Sequence, residues 1–199
     1  MEQVVLLDEA GVAIDVADKA TVHHQATPLH LAFSVYVFNP TGELLITRRA
    51  PSKQTWPDIW TNSCCGHPQP GEPLPEAVSR RLHHELALPT AAIDIVLPRF
   101  RYRATMPNGL VENEMCPVFK AFTDADPTPN PTEVAECRWT TWPKFVQDVL
   151  SNRLTVSPWC REQTKQLSQL GPQPTSWAVA ATDELPRAAT ASPSTGGGG

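Results

Sequence analysis

The chain has 199 residues, 41% of them hydrophobic and 19% charged, which is enough to bury the core of one ordinary domain. Its net charge of -5 argues against a nucleic-acid partner, because a phosphate backbone is bound by clustered basic residues. The five cysteines include an adjacent pair and no CxxC, so they suit neither a disulfide framework nor a zinc ribbon. We find no signal peptide and no apolar run long enough to cross a bilayer, and we expect a cytoplasmic protein without membrane insertion.

The first part of the chain has the pattern of strands separated by turns. Residues 4–7 form a short apolar run that enters a turn at residues 8–11, whereas residues 19–28 are polar and irregular. Residues 29–38 are rich in β-branched and aromatic side chains and predict one buried strand. A turn signal follows this run, so residues 43–47 are predicted to return as an antiparallel strand.

A helix is predicted over residues 76–86, with a start as early as Glu72. Apolar side chains recur at every fourth position and make a stripe that faces the core: Leu74, Val78, Leu82 and Leu86. Arg81 and Glu85 belong to the neighbouring stripe, so they lie at the flank of the packed face and not on its far side. A functional site can be built at that flank.

The second half of the chain continues with strands and then helices. Residues 100–103 and 109–122 read as two strands around a Pro-Asn-Gly turn, and residues 134–140 as another. Residues 143–150 and 158–170 are predicted helices, each with a proline in the first turn.

The C-terminal segment differs in composition from the rest of the chain. From about Gly171 it is rich in Pro, Ala, Ser and Thr, and it ends in four glycines. Such a composition offers little apolar surface to bury, so the segment is predicted to be disordered. We therefore expect one domain over residues 1–171 and a tail over residues 172–199 that is dispensable for stability.

Two short stretches carry the residues with chemical potential. Thr61 to Pro68 places the Cys65 thiol two residues before the His67 imidazole, and strand alternation sends Cys64 to the opposite face. A second stretch places Glu112 and Glu114 on one strand face. Two carboxylates there repel each other unless the face is wet or carries a cation.

Each histidine alone is more simply a half-buried or solvated side chain than a ligand. His30 lies at the start of an apolar run, and His23 and His24 lie in a polar segment. Taken together, three imidazoles and two carboxylates would make a nitrogen and oxygen site for Zn²⁺, Mn²⁺ or Mg²⁺. The spacing is not that of a compact zinc motif, so the residues alone leave the site unproven.

A basic cluster lies between the predicted strands and the cysteine stretch. Arg48, Arg49 and Lys53 lie there close to Trp56 and Trp60. Basic residues among aromatics can bind single-stranded nucleic acid, but three cations in an acidic chain fit a small anionic ligand better.

Several short motifs follow one another along residues 3–165. They are Leu29 to Phe33, Thr47 to Ala50, Trp60 to Pro68, Arg101 to Ala104, Glu112 to Glu114 with Cys116-Pro117, and Ser157 to Trp159. In this order they resemble the type 1 isopentenyl diphosphate isomerases, enzymes of the Nudix-like fold. The resemblance implies an α+β protein, an α/β/α sandwich around a mixed central sheet.

A degenerate Nudix box is also visible. Gly66, Glu72, Arg80 and Glu85 fall at the spacing of that box. Arg81 and His84 stand where a Nudix hydrolase carries glutamates, and Ala87 stands where the box ends in glycine. The acidic metal cluster of a hydrolase is thus largely missing from the helix, which argues against diphosphate hydrolysis.

The resemblance implies a role for each candidate residue. One divalent metal, Mn²⁺, Mg²⁺ or Zn²⁺, would be bound by His23, His30, His67, Glu112 and Glu114, with His24 as the alternative to His23. Glu85 would help to hold a Mg²⁺ on the substrate diphosphate. The diphosphate oxygens would contact Lys19, Arg49, Lys53 and Arg81. Cys65 and Glu114 would transfer protons, with Tyr102 beside Glu114 and Trp159 against the isoprenoid tail.

The implied reaction is the reversible allylic proton shift that converts isopentenyl diphosphate to dimethylallyl diphosphate. The expected partner is therefore an isoprenoid diphosphate, and we expect a monomer. Two alternatives stay open at this point. A Nudix hydrolase would release phosphate, and a metal-binding or regulatory module would keep the fold without catalysis.

Overall fold

The strands of the chain form two separate mixed sheets. The computed structural model describes residues 2–89 and 92–190. In chain order the strands are β1 (Gln3–Leu7), β2 (Ala13–Asp18), β3 (His30–Leu31), β4 (Phe33–Phe38), β5 (Glu43–Arg49), β6 (Trp60–Thr61), β7 (Cys64–Gly66), β8 (Ile93–Leu97), β9 (Arg101–Thr105), β10 (Val111–Met115), β11 (Val118–Phe122) and β12 (Val134–Thr141). The first sheet has the order β2-β1-β3-β10-β9, and the second has the order β12-β5-β4-β11-β8. In the second sheet β6 pairs with β5 and β7 with β4.

The helices cover the second sheet on both faces. They are α1 (Leu74–Leu86), α2 (Trp142–Leu150), α3 (Pro158–Leu167) and the short α4 (Arg187–Thr190). The α+β sandwich with a mixed central sheet is thus confirmed. Within the described part of the chain, none of the helices combines the length and apolar character needed to cross a bilayer.

Two of the predicted long strands are wrong as single strands. Each is divided into two shorter strands that belong to different sheets. The run over residues 29–38 breaks at Ala32, and the run over residues 109–122 breaks at Cys116 and Pro117. The breaks lie side by side. The Ala32 amide donates to the Met115 carbonyl at 3.0 Å, and the Ser34 amide donates to the Pro117 carbonyl at 3.1 Å. The apolar pattern continues across the breaks because both sheets are buried there, so the sequence gives no signal of the change.

Strand β4 is buried along its whole length because both faces are covered. Phe33, Val35 and Val37 pack in the cluster that includes the apolar stripe of α1. Tyr36 and Phe38 point the other way, into the cluster that contains the apolar side chains of α2 and α3. Alternation along one strand therefore joins the two layers of the sandwich.

Helix α1 confirms the predicted stripe. Its four leucine and valine positions are fully buried, and Arg81 and Glu85 are also buried, at 5% and 7% exposure. The helix ends at Ala87, whose φ of 53° lies in the left-handed region that favours glycine. This geometry explains why glycine suits the last position of the Nudix box.

The remaining predicted strands and helices are confirmed with small changes at their ends. The sequence analysis did not predict strands β2, β6 and β8 or the short helix α4. Strand β2 carries Ile14 and Val16 at alternate positions, a signal that the sequence analysis did not use, although both side chains are exposed in the fold, at 64% and 41%.

The C-terminal segment corrects the prediction of a disordered tail from residue 172. Residues 172–190 pack on the domain, with Trp177 at 2% and Leu185 at 5% exposure. The buried Lys120 ammonium donates to the carbonyls of Pro174 at 3.2 Å and Trp177 at 3.1 Å. Trp177 and Leu185 are only two large apolar residues in a polar segment, so they hardly change its average composition. A prediction of disorder from composition therefore could not detect that the segment packs. Residues 191–199 lie outside the described residues.

Trp177→Ala is expected to lower the free energy of unfolding by about 3 kcal/mol or more, because a large buried side chain is removed. Val179→Ala is the matched control, since Val179 is 56% exposed and its loss should change stability by less than about 0.5 kcal/mol. Urea denaturation of both variants measures the difference. Equal stabilities would contradict the packed C-terminal segment.

Candidate active site

Three adjacent strands of the first sheet, β3, β10 and β9, each place one polar side chain in the same row across the sheet. In the register, His30 of β3 pairs with Glu114 of β10, and Glu114 pairs with Tyr102 of β9. The Tyr102 hydroxyl donates to Glu114 Oε2 at 2.8 Å, and His30 Nε2 lies 3.5 Å from Glu114 Oε1. Paired residues on one sheet face have neighbouring side chains, so the register itself assembles this row.

His67 and His23 join the same cluster from outside the first sheet. His67 directly follows β7, and its Nε2 lies 3.0 Å from Glu114 Oε1. His23 lies in the turn region after β2 and is 8% exposed. The three imidazole centroids are 5.1 to 6.0 Å apart. One ligand atom from each histidine and one from Glu114 all lie within 4.8 Å of one another.

His24, the alternative to His23, lies outside this cluster. Its side chain is exposed, and its Nδ1 accepts a hydrogen bond from the Ala26 amide at 3.1 Å. The geometry therefore favours His23 as the neighbour of Glu114.

Several buried polar atoms of the cluster have no hydrogen-bond partner in the described residues. They are His23 Nε2, His30 Nε2, His67 Nδ1 and Glu112 Oε2. His23 Nε2 and Glu112 Oε2 are 3.0 Å apart, yet their geometry is not that of a hydrogen bond. Buried polar atoms without partners are costly, and a cation among them would satisfy their lone pairs.

The outer hydrogen bond of His30 fixes its tautomer. His30 Nδ1 lies 3.0 Å from the Pro28 carbonyl, which can only accept, so Nδ1 carries the proton. In the neutral imidazole the lone pair of His30 is therefore on Nε2, the atom directed at Glu114. Metal-binding histidines are commonly held in this way.

The electrostatics of the cluster also suit a cation. Burial alone would raise the pKa of Glu114, but its contacts with His30 and His67 hold it well below its usual value. Burial lowers the pKa of His67 to about 4, against the effect of Glu114. An ionised carboxylate and a neutral imidazole are the forms in which these groups bind metals.

Cys65 faces a different environment from Cys64, as the alternation predicts. Cys64 packs in the cluster with α1, whereas Cys65 lines the cavity described below. The Cys65 thiol donates to Asn62 Oδ1 at 3.2 Å and lies 3.3 Å from Ser34 Oγ. Burial raises the pKa of Cys65 to about 11, although the bonds to Ser34 and Asn62 oppose this. The side chain is therefore a thiol at neutral pH.

Asn62 is a site residue to which the sequence analysis assigned no role. Its Nδ2 donates to the carbonyls of Val35 at 3.0 Å and Cys64 at 2.8 Å. This fixes Oδ1 as the acceptor for the Cys65 thiol and for Trp159 Nε1, which is 3.2 Å away. Its place inside one of the motifs that carry the resemblance, Trp60 to Pro68, was the available signal.

A cavity of about 130 Å³ brings the candidate residues together. Cys65, Tyr102, Glu114 and Trp159 line it, as do the metal candidates His23, His67 and Glu112. Four cationic side chains also line it, namely Lys19, Arg49, Lys53 and Arg81. One small space therefore contacts a thiol, a carboxylate, an aromatic ring and a basic wall.

The basic side chains of the cavity are held by protein groups. Arg49 donates to the carbonyls of Thr55, at 2.9 and 3.2 Å, and Trp56, at 3.1 Å. Its guanidinium carbon lies 5.5 Å from the centroid of the Trp159 ring. These contacts fix the loop after β5 against the aromatic wall.

Glu85 is not brought into the cavity with the other candidates. Among the described residues it is absent from the lining, and its carboxylate accepts hydrogen bonds from Arg81 Nε, at 3.1 Å, and Arg81 Nη2. Arg81 in turn packs over Gly66, where an added Cβ would lie 2.9 Å from Arg81 Cγ. Glycine at this position thus leaves room for the arginine.

The fold and this site define the class of protein. The NUDIX domain family matches residues 28–160, more than half of the chain. A solved structure, DR0079 from Deinococcus radiodurans, aligns with a TM-score of 0.62 at 21% identity, covering 83% of this chain and 98% of that one. The MutT protein from Methanosarcina mazei aligns with a TM-score of 0.57 at 20% identity, covering 71% and 94%. Both structures support the fold.

Closer relatives specify the family. The isopentenyl-diphosphate Delta-isomerase of Saccharopolyspora erythraea is 58% identical over 95% of this chain and 97% of its own length. The protein of the same name from Rhizobium rhizogenes is 52% identical over 94% and 90%. The chain therefore belongs to the isopentenyl-diphosphate Delta-isomerase family within the NUDIX domain proteins.

Proposed function

We propose that this protein interconverts isopentenyl diphosphate and dimethylallyl diphosphate by a reversible allylic proton shift. The observation that carries the proposal is the shared cavity, in which Cys65 and the Glu114–Tyr102 pair face one space with Trp159. Family membership supports the same reaction. A monomeric state and a cytoplasmic location stay predictions.

The reaction needs one group that gives a proton and another that takes one. Moving the double bond adds a proton at the terminal methylene carbon and removes one from the carbon next to the diphosphate-bearing carbon. Protonation leaves a tertiary carbocation between them. Cys65 carries a proton at neutral pH and Glu114 carries a negative charge, so the pair contains a donor and an acceptor.

The cavity wall offers the cation an aromatic face. The Trp159 ring is fixed by its bond to Asn62 and packs against Tyr102 and Trp56, each at a centroid distance of 5.6 Å. A cation over such a face gains about 0.5–2 kcal/mol. The same aromatic wall keeps water from the carbocation, which water would trap as an alcohol.

We propose that His23, His30, His67, Glu112 and Glu114 hold one divalent cation. Their nitrogen and oxygen donors suit Mn²⁺, Mg²⁺ or Zn²⁺, and the unpartnered buried atoms support this assignment. When bound, the ion would act as a Lewis acid beside the Glu114 carboxyl group.

The basic wall of the cavity is the proposed diphosphate site, formed by Lys19, Arg49, Lys53 and Arg81. A Mg²⁺ accompanies the diphosphate in this proposal. Glu85 would contact it only if the carboxylate is released from Arg81, since the two side chains are paired in the free protein.

The main alternative is a diphosphate hydrolase on the same fold. Helix α1 presents Arg81 and His84 where a hydrolase carries glutamates. The Glu85 carboxylate is held in an ion pair with Arg81. In the part of the chain that the structure describes, the one clustered set of metal-type ligands is the histidine group around Glu114. That group lies beside the proton-transfer residues, which favours isomerisation over hydrolysis and over a non-catalytic binding module.

Cys65→Ala is expected to lower kcat by at least about 10³-fold, because one of two proton-transfer groups is removed. The matched control is Cys64→Ala, which removes the neighbouring thiol on the opposite face and should stay within about threefold of the parent, since its sulfur is outside the cavity. Incubation with isopentenyl diphosphate and Mg²⁺ in D₂O, followed by NMR of the product, measures deuterium uptake. Equal rates for the two variants would exclude the role of Cys65.

Glu114→Gln is expected to abolish deuterium uptake as well, because a carboxamide is neither an effective acid nor an effective base at neutral pH. Inorganic phosphate and diphosphate are measured in the same incubations of the parent protein. Release of either at the rate of substrate loss would support the hydrolase instead, and full activity of the glutamine variant would refute the role of Glu114.

His23→Gln is expected to weaken Mn²⁺ binding by at least about tenfold, because one ligand of the cluster is lost. His24→Gln, the adjacent and exposed histidine, should bind like the parent protein. Equilibrium dialysis of chelator-treated protein gives both affinities without an activity assay. A larger loss in the His24 variant would reverse the assignment.

A further inference from the structure

Glu133 is a half-buried carboxylate that joins two cations of the cavity wall. Its side chain is 16% exposed. Glu133 Oε2 accepts from Lys53 Nζ and lies 3.3 Å from Arg81 Nη2, while its Oε1 lies 3.5 Å from His84 Nε2. Lys53 belongs to the loop after β5 and Arg81 to α1, so one carboxylate connects two elements that carry basic residues of the cavity.

The backbone around Glu133 fixes its position independently of these ion pairs. The Ala50 amide donates to the Glu133 carbonyl at 3.0 Å, and the Glu133 amide donates to the Asn130 carbonyl at 2.9 Å. The Asn130 amide donates to the Glu85 carbonyl of α1 at 2.8 Å. The carboxylate is therefore held at the junction of the loop and the helix.

The charge state of Glu133 matches this position. Burial alone would raise its pKa, but the hydrogen bond and charge of Lys53, with the charge of Arg81, lower it to about 2. The side chain is thus an anion between two cations that would otherwise repel each other.

Glu133 differs from Lys53 and Arg81 in one decisive way, since it is absent from the described residues that line the cavity. It therefore contacts both cations from outside the space that a ligand occupies. An ammonium has three N–H donors and a guanidinium has five, so each cation can keep its bond to Glu133 and still donate to a phosphate. Glu133 and a bound diphosphate need not compete.

We propose that Glu133 is a positioning residue for the diphosphate, acting through Lys53 and Arg81. By holding two flexible side chains at the cavity wall before the ligand arrives, it reduces the ordering that binding requires. The inference rests on the proposed function for the identity of the ligand. It assigns Glu133 to binding and not to proton transfer.

Glu133→Gln tests this role, since it keeps the shape and removes the charge. We expect KM for isopentenyl diphosphate to rise about tenfold, within the coupling found in one ion-pair network, and kcat to stay within about twofold. Calorimetric titration with inorganic diphosphate and Mg²⁺ should show the same loss of affinity. In a Lys53→Met background the effect of Glu133→Gln should shrink, which a general structural role would not produce.

Glu136→Gln is the matched control. Glu136 lies in β12, three residues after Glu133, but its side chain is 49% exposed. It pairs with Arg48, which does not belong to the described residues that line the cavity. It should leave KM, kcat and diphosphate affinity unchanged. If Glu133→Gln does not fold, as judged by circular dichroism, Glu133→Asp replaces it, with a weaker effect expected in the same direction.

Several results would overturn the proposal. An unchanged or lower KM would mean that Glu133 is neutral or competes with the ligand, and a loss confined to kcat would place it in the chemistry. An equal effect of Glu136→Gln would show a nonspecific charge effect. The calorimetric result does not need turnover, so a parent protein that binds diphosphate without deuterium uptake would refute the isomerase proposal alone.

Discussion

The parallel pairing of β3 with β10 is the interaction on which the site depends. It places His30 opposite Glu114, and the next strand places Tyr102 on the other side of the same carboxylate. Both strands then leave the first sheet at adjacent residues and continue as β4 and β11 in the second sheet. The crossing joins the proposed metal cluster of one sheet to the thiol of the other, since Cys65 pairs in register with Ser34 of β4.

The crossing also explains how the protein can bury so many ionisable groups. Glu112 and Glu114 are 4% and 7% exposed, and His30 is fully buried. A buried carboxylate is tolerated when hydrogen bonds or a cation compensate for the lost water. Tyr102 and His67 supply part of that compensation for Glu114. The unpartnered atoms of the cluster mark where it is incomplete without a ligand.

The sequence predicted those parts of the structure that depend on local periodicity. The apolar stripe of α1 and the opposite faces of Cys64 and Cys65 follow from helix and strand repeats, and both are confirmed. The strand breaks at Ala32 and Cys116 could not be predicted, because periodicity does not show which sheet a buried strand joins. Convergence of His23, His67 and Glu114 depends on contacts between distant segments, so the residues alone left the site unproven and the resemblance was needed to predict it. The pairing of Glu85 with Arg81, and the role of Glu133, depend on side-chain contacts that spacing does not encode.

The packed C-terminal segment has a consequence for how the chain folds as it is synthesised. Trp177 belongs to the apolar cluster on one side of the second sheet, and Leu185 belongs to the cluster on the other side. The Ala188 amide donates a hydrogen bond to the Gly11 carbonyl beside the first sheet. Until this segment has been synthesised, the ammonium of Lys120 lacks its two carbonyl acceptors. The apolar clusters on both sides of the second sheet are then also partly exposed to water. A nascent chain that lacks residues 172–190 therefore exposes apolar surface that the finished fold covers, and docking of this segment is the step that closes both layers.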